Sequence, residues 1–160
     1  MAYLKAVYRD YSTCCKSFSD GIEFLQRRAI QEASRSFQLA CDSISLSHAF
    51  RNKYISYLGF ARLLSGDIDG IKLCRKAAFD ELRDGDIFLN LARAEFLLES
   101  RCRTVFALEQ GLEIDADHEG LLLMQAQLGI RKKKPLPFLQ RTHPVNIRLG
   151  YWMRKNKKRR

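Results

Sequence analysis

The stretch that decides the fold is LGFARLL at residues 58–64, because a near copy, LARAEFL, follows at residues 91–97, 33 positions later. Each copy runs into a short turn, Gly66-Asp67 in the first and Glu99-Ser100 in the second, and then into a run with helical spacing. A unit of helix, turn and helix that recurs every 20–50 residues or so is typical of a stacked array of helix pairs. The sequence therefore predicts a repeating all-α fold.

Positive charge is concentrated at the C-terminal end. The chain of 160 residues has 28 Lys/Arg against 18 Asp/Glu, a net charge of +10. Residues 131–160 hold 12 of these cations and no acid, which leaves residues 1–130 with 16 cations, 18 acids and a net charge of −2. A near-neutral body with a cationic end indicates a scaffold with an electrostatic appendage. With 46% hydrophobic residues, we expect one helical domain over residues 1–130 and a basic C-terminal extension over residues 131–160.

The cysteines and the apolar segments bear on the compartment. Five cysteines form no Cys-x-x-Cys pair, which favours reduced, mostly buried thiols over disulfides or a metal site. In residues 1–10, charge interrupts the chain before the apolar run of a cleavable signal develops. The densest apolar segment, residues 87–98, is too short and too charged to span a bilayer. We therefore expect a cytoplasmic protein with no membrane span.

Small and aromatic residues recur at fixed intervals upstream of the quoted stretch. Gly21 is followed by Phe24, Ala33, Phe37 and Ala40. This spacing resembles the tetratricopeptide repeat, a helix–turn–helix of about 34 residues. In such a repeat a small residue lets two helices approach closely, an aromatic side chain fills the crossing, and alanines of the second helix admit the next repeat.

The resemblance covers residues 14–130 and implies a particular architecture. It is a right-handed α-solenoid of antiparallel helix pairs, with about three repeats and a capping helix at residues 118–130. Ala78 is expected to hold the place in repeat two that Ala40 holds in repeat one. Residues 87–98 are apolar almost all round, which is typical of an inner helix covered on more than one side.

Helix boundaries are predicted from capping residues. Ser47 is expected to cap a helix that begins near His48, and Asp67 to cap the helix after it. Gly85 is expected to end one helix in the left-handed conformation and Asp86 to cap the next.

The sequence offers no catalytic or cofactor motif. Its histidines, His48, His118 and His143, are scattered and belong to no His-Glu-x-x-His or nucleophile-elbow pattern. The turn at residues 66–70 lacks the Lys-Ser/Thr of a phosphate-binding loop and carries two carboxylates that would repel phosphate. We therefore expect no enzymatic activity, no metal and no cofactor.

In tetratricopeptide-like arrays the first helix of each repeat lines a concave groove, and the resemblance nominates one set of residues there to bind a partner protein or peptide. The set is Lys53, Tyr57, Phe60, Asp86, Asn90, Arg93 and Phe96, with Ser56 and Leu97 beside them. Asn90 can pair with a peptide backbone and Arg93 can clamp a carboxylate. Alternatively, Asn90 and Arg93 only lie on a solvent-exposed helix face and bind nothing. Ser56 and Phe60 stand where a clamp for C-terminal carboxylates would use polar partners, which disfavours that mode of binding.

The basic extension carries a second binding hypothesis. Arg148, Trp152, Arg154 and Lys155 can contact nucleic acid, the ribosome or anionic lipid through charge and stacking. The alternative is a solubilising segment, or one that neutralises the acids at residues 115–119. A short docked helix is also expected at about residues 144–153.

Two functional classes remain open, with a third that shares the same fold. The favoured function is a non-catalytic adaptor that holds a peptide or helix of a partner in the groove. The alternative is a nucleic-acid- or ribosome-associated factor that acts through the basic extension, and a secretion-type chaperone would have the same architecture.

Overall fold

The computed structural model describes residues 14–81, 83–129, 144–145 and 148–149. Seven helices lie before residue 129, and the described residues contain no strand, which confirms the all-α prediction. The helices are α1 Lys16–Gln26, α2 Ile30–Asp42, α3 Arg51–Leu64, α4 Gly70–Phe79, α5 Gly85–Leu97, α6 Arg101–Ile114 and α7 Glu119–Gln127. The chain divides into two compact units, Met1–Leu128 and Gly129–Arg160.

Helices that follow one another in the chain pack together. In the first unit α1 contacts α2, α2 contacts α3, and α3 contacts both α4 and α5. The same order continues as α4 and α6 pack on α5, and α7 packs on α5 and α6. Each of these contacts joins helices that are at most two elements apart.

Small residues allow the first two helix pairs to close. A Cβ atom on Gly21 in α1 would lie 2.6 Å from Cε1 of Phe37 in α2, closer than side chains pack. A Cβ atom on Gly59 in α3 would lie 2.6 Å from the carbonyl oxygen of Gly70 in α4. Only glycine permits these crossings. The prediction that Gly21 and Gly59 are packing positions is confirmed.

Four aromatic rings fill the space between α1, α2 and α3. Phe18 stacks on Tyr54 with 4.5 Å between ring centroids, and its edge faces Tyr57 at 5.1 Å. Phe37 lies 5.5 Å from both Phe18 and Tyr57. All four side chains are buried, so this aromatic cluster is the core of the N-terminal half.

α5 is the inner helix of the C-terminal half. Ten of its 13 residues are buried, as the apolar pattern of residues 87–98 predicts. α3, α4, α6 and α7 all contact it, which explains why so little of its surface reaches solvent.

Several predicted positions are wrong by a few residues. The buried positions Ala33, Phe37 and Ala40 of α2 repeat their spacing in α4 as Gly70, Cys74 and Ala77. Ala77, which is fully buried, therefore takes the place that was assigned to Ala78. Ala77 and Ala78 are adjacent in α4, so a shift of one residue in the alignment moves the position from the buried face to the side of the helix.

The residues that cap the helices also differ from those predicted. α3 begins at Arg51, and the Ser47 hydroxyl pairs with Ser45 instead of a helix end. Asp84, rather than Asp86, caps α5, since its carboxylate accepts a hydrogen bond from the backbone N–H of Asp86 at 2.9 Å. Gly85 is the first residue of that helix instead of a left-handed end.

Asp67 accepts a hydrogen bond from the backbone N–H of Asp69 at 3.0 Å, in the turn that leads into α4. α7 is shorter than the predicted helix at residues 118–130 and is capped by His118. Most of the helix predicted at residues 144–153 lies outside the described residues.

Candidate functional site

A polar cluster joins the N-terminal ends of α3, α5 and α7, with two of its residues buried and two half-buried. It consists of Lys53 in the first turn of α3, Asp84 and Asp86 at the start of α5, and His118 at the cap of α7. Lys53 and Asp86 are 33 residues apart and Asp86 and His118 are 32 apart, so the repeat period brings them to one edge of the array. Two of the predicted groove residues, Lys53 and Asp86, thus meet in this cluster.

The ammonium group of Lys53 bridges two carboxylates. Its Nζ lies 2.9 Å from Oδ2 of Asp86 and 3.1 Å from Oδ2 of Asp84. Burial lowers the pKa of Lys53, but the charges and hydrogen bonds of Asp86 and Asp84 outweigh burial and raise it overall. Lys53 is therefore a cation at neutral pH, held between two anions.

Both ring nitrogens of His118 are used inside the protein. Nδ1 lies 3.3 Å from the backbone N–H of Leu121, which can only donate, so Nδ1 accepts. The proton then sits on Nε2, which donates to Oδ1 of Asp86 over 3.1 Å. Since the ring has no solvent exposure, His118 offers no free nitrogen for acid–base chemistry in this arrangement.

The interface between α3 and α5 contains a second buried polar contact. Asn90, which is completely buried, donates from Nδ2 to Oγ of Ser56 at 3.2 Å. Ser56 in turn donates to the backbone carbonyl of Lys53 at 2.8 Å. The prediction that the Asn90 amide faces a groove is therefore corrected: it connects two helices in the interior.

The remaining predicted groove residues divide between core and surface. Tyr57 and Phe60 are buried. The guanidinium carbon of Arg93 lies 6.0 Å from the centre of the Phe60 ring, within the range of a cation–π contact. Arg93 and Phe96 are half-buried and Leu97 is exposed, and we call these three residues the α5 face.

A third polar contact ties α4 to α5. Nε of Arg75 donates to Oε1 of Glu95 at 2.7 Å, and Glu95 is 3% exposed. This hydrogen bond is the main cause that raises the pKa of Arg75, so its guanidinium group stays charged. Oε2 of Glu95 has no hydrogen-bond partner among the described residues.

The spacing of polar residues in the sequence could have predicted part of the polar cluster. One more period counted from Asp86 reaches residue 119, next to His118, but nothing in the sequence distinguishes a buried capping histidine from an exposed one. Arg75 and its partner Glu95 are 20 positions apart in the chain. Helical periodicity does not identify such pairs.

The cysteines differ in burial, and burial makes two of their thiols unreactive at neutral pH. Burial raises the pKa of Cys74 to about 12 and that of Cys41 to about 11, so both are protonated at neutral pH. Cys74 is buried, Cys14, Cys15 and Cys41 are half-buried, and Cys102 is exposed, so the prediction of mostly buried thiols is wrong. Within the described ranges, His, Cys, Asp and Glu side chains form no group that could hold a metal ion.

Little of the predicted nucleic-acid contact can be located. Arg148 is exposed. Trp152, Arg154 and Lys155 lie outside the described residues. In the described part of the chain, no helix is both long and apolar enough to cross a membrane.

Comparisons of the chain with protein-family models, with curated proteins and with solved structures found no match. The resemblance to the tetratricopeptide repeat thus rests on the residue pattern alone.

Proposed function

We propose that the chain is a non-catalytic adaptor, a right-handed α-solenoid of three antiparallel helix pairs with α7 as a cap, that binds a peptide or helix of a partner protein. The order of helix contacts supports the array, because each helix packs on its neighbours in the chain. Five free cysteines fit a reducing compartment such as the cytoplasm.

The α5 face is the observation that carries this proposal. Arg93 is a half-buried residue whose guanidinium carbon lies over the Phe60 ring, and Phe96 and Leu97 add apolar surface on the same helix. An arginine held on an aromatic ring keeps its planar fork oriented, and it can receive a carboxylate or a backbone carbonyl of a bound segment. Apolar neighbours supply the burial that a docked amphipathic helix or extended peptide needs.

The polar groups inside the array are already committed to one another. Lys53 holds Asp84 and Asp86, Asn90 holds Ser56, and His118 holds α7. Their internal contacts favour a scaffold over an enzyme, since a catalytic group needs an accessible atom and a place for substrate.

The alternative function is binding of nucleic acid by the basic extension. It is favoured by the separation of charge along the chain, with 12 of the 28 Lys/Arg and no acid in residues 131–160. Such binding would weaken steeply as salt increases, because it releases counterions from the phosphate backbone.

Affinity capture with the full chain tests both functions. Arg93→Glu reverses the charge on the α5 face, and Phe79→Ala is the matched control because Phe79 is 88% exposed on α4. A third variant, Arg154→Ser with Lys155→Ser, weakens the basic extension. Circular dichroism establishes that every variant is folded.

The adaptor predicts a partner protein that Arg93→Glu loses and that the two other variants retain, also after nuclease treatment. Loss of every captured species with nuclease, or with the Arg154/Lys155 variant alone, would favour the nucleic-acid factor and contradict the adaptor.

A further inference from the structure

We propose that the outer face of α7 is a dimer interface, at which α7 pairs in antiparallel with α7 of a second copy of this chain. The outer face consists of the exposed residues of the helix, which are Glu119, Leu122, Leu123, Ala126 and Gln127. The inference does not depend on the proposed function, because no residue of the α5 face belongs to this surface.

α7 is apolar on the side that packs inward and also on the side that faces solvent. On the inner side, Leu121 and Met124 are buried, and α5 and α6 pack on the helix. On the outer side, Leu122 is 42% exposed and Leu123 is 44% exposed, and residues 120–130 include no charged side chain. A helix that is apolar all round is normally covered on more than one side. The outer face of α7 therefore has the composition of a contact surface.

The helix at the other end of the unit has a different composition. The exposed residues of α1 are all polar, namely Lys16, Ser19, Glu23 and Gln26. A polar outer face is what keeps the terminal helix of a stacked array soluble. α1 meets this requirement and α7 does not, so we place the contact with another molecule at α7.

The charges at the two ends of α7 favour a second copy as the occupant. Asp117 and Glu119 are exposed at the N-terminal end. At the C-terminal end, the exposed Arg101 of α6 donates from Nη2 to the backbone carbonyl of Leu128 at 2.9 Å, and the sequence continues into the basic run at residues 131–134. In an antiparallel pair each acidic end meets the basic end of the other helix, and the helix dipoles also oppose each other. Such a surface is complementary to itself about a two-fold axis.

The spacing of the outer residues suits such a pair. Glu119, Leu122, Leu123 and Ala126 follow the i, i+3, i+4, i+7 pattern, which forms one stripe along the helix. In a pair centred between the two leucines, the leucines of both copies meet in the middle, and Glu119 lies near the end of the other helix that carries Arg101. The nine residues of α7 span about 13 Å. This contact is smaller than the roughly 1,200 Å² of a stable complex, so we expect a weak dimer whose population depends on concentration.

Sedimentation velocity of the full chain tests the proposal. Between about 1 μM and about 500 μM, the average mass should rise from that of one chain toward that of two. Leu123→Glu places a charge in the apolar centre of the interface and should weaken association at least about tenfold. Leu39→Glu is the matched control, because Leu39 is 61% exposed on α2, and it should associate as the wild type does. Circular dichroism establishes that both variants are folded.

A wild-type chain that stays monomeric over this range overturns the proposal, whether another segment of the chain or a different protein covers the face. Association that Leu123→Glu leaves unchanged, or that Leu39→Glu weakens equally, overturns it as well. The wild-type measurement needs no variant, so it decides even where a variant fails to fold.

A charge exchange tests the antiparallel arrangement. Glu119→Lys and Arg101→Glu each bring like charges together at both ends of a homodimer, so each variant alone should associate more weakly than the wild type. In an equimolar mixture of the two variants, opposite charges meet again at both ends, and association should recover. A folding defect in either variant cannot imitate this recovery. A mixture that associates no more tightly than its components overturns the antiparallel pairing.

Discussion

The helices are held together differently in two regions of the first unit. Between α1, α2 and α3, four packed aromatic rings fill the interface. At the N-terminal ends of α3, α5 and α7, a lysine, two aspartates and a histidine are joined over 2.9–3.1 Å. Aromatic packing thus joins the helices of the N-terminal half, whereas the C-terminal half adds a polar cluster to an apolar core that includes Ile87, Leu108 and Leu121.

The aromatic cluster and the polar cluster contribute differently to the stability of the fold and to the choice of which helices pack together. Burial of aromatic rings is favourable wherever the rings meet, and it depends little on salt or on pH near neutrality. A buried ion pair gains little net free energy, but the loss of one partner leaves an uncompensated charge inside the protein. We therefore expect the aromatic cluster to supply most of the stability and the polar cluster to fix which helix ends lie together.

The largest effect is expected at the aromatic cluster. Phe37→Ala removes a completely buried ring that contacts Phe18, Tyr57 and Gly21, and should lower the free energy of unfolding by about 3–5 kcal/mol. Phe79→Ala, at an exposed position, should change it by less than about 0.5 kcal/mol. Equilibrium denaturation measures both, and equal losses would show that the ring cluster is not the core.

A smaller but still large effect is expected at the polar cluster. Lys53→Met leaves Asp84 and Asp86 without their cation, which should cost about 2–4 kcal/mol at neutral pH. Lys72→Met, which breaks the exposed pair with Asp69, should have no measurable effect. If the two lysine variants lose the same stability, the cluster behaves as a surface pair.

The smallest effect concerns alkaline pH, where the aromatic cluster has one weak point. Burial is the main cause that raises the pKa of Tyr54, whose hydroxyl accepts the backbone N–H of Cys15 at 2.9 Å. The folded state therefore disfavours the phenolate. The stability this contributes is present below the ordinary tyrosine pKa and is lost as pH rises above it.

Tyr54→Phe should accordingly lose less stability than the wild type between about pH 8 and about pH 11, although it starts lower because the Cys15 hydrogen bond is gone. Denaturation midpoints across this range give the two slopes. Parallel slopes would mean that Tyr54 ionises as easily in the folded chain as in the unfolded one.

Sequence patterns predicted the all-α fold better than the buried polar contacts. Helices are predicted by the repeated stretches at residues 58–64 and 91–97. Their crossings are predicted by the small residues Gly21 and Gly59, because two helices can approach closely only where a side chain is small. Polar residues follow no comparable sequence pattern. Asn90 would occupy the same position in the helical pattern whether its amide faced a groove or Ser56. Only the extensive burial of α5, which the structure shows, decides that it faces Ser56.

The same limitation explains the histidine. His118 belongs to no motif. Its hydrogen bond to Asp86 and the space that Gly85 leaves for its ring both depend on residues more than 30 positions earlier in the chain. A long-range hydrogen bond between single side chains has no periodicity, so local patterns cannot predict it.

The central claim is that a partner protein lies along the α5 face, and site-specific photo-crosslinking in the full chain tests it most directly. A benzophenone amino acid replaces Phe96 on that face or, as the control, Phe79 on α4. The account predicts a covalent protein adduct from position 96, little or none from position 79, and no change after nuclease treatment. Equal adducts from both positions, or adducts that consist of nucleic acid, would contradict it.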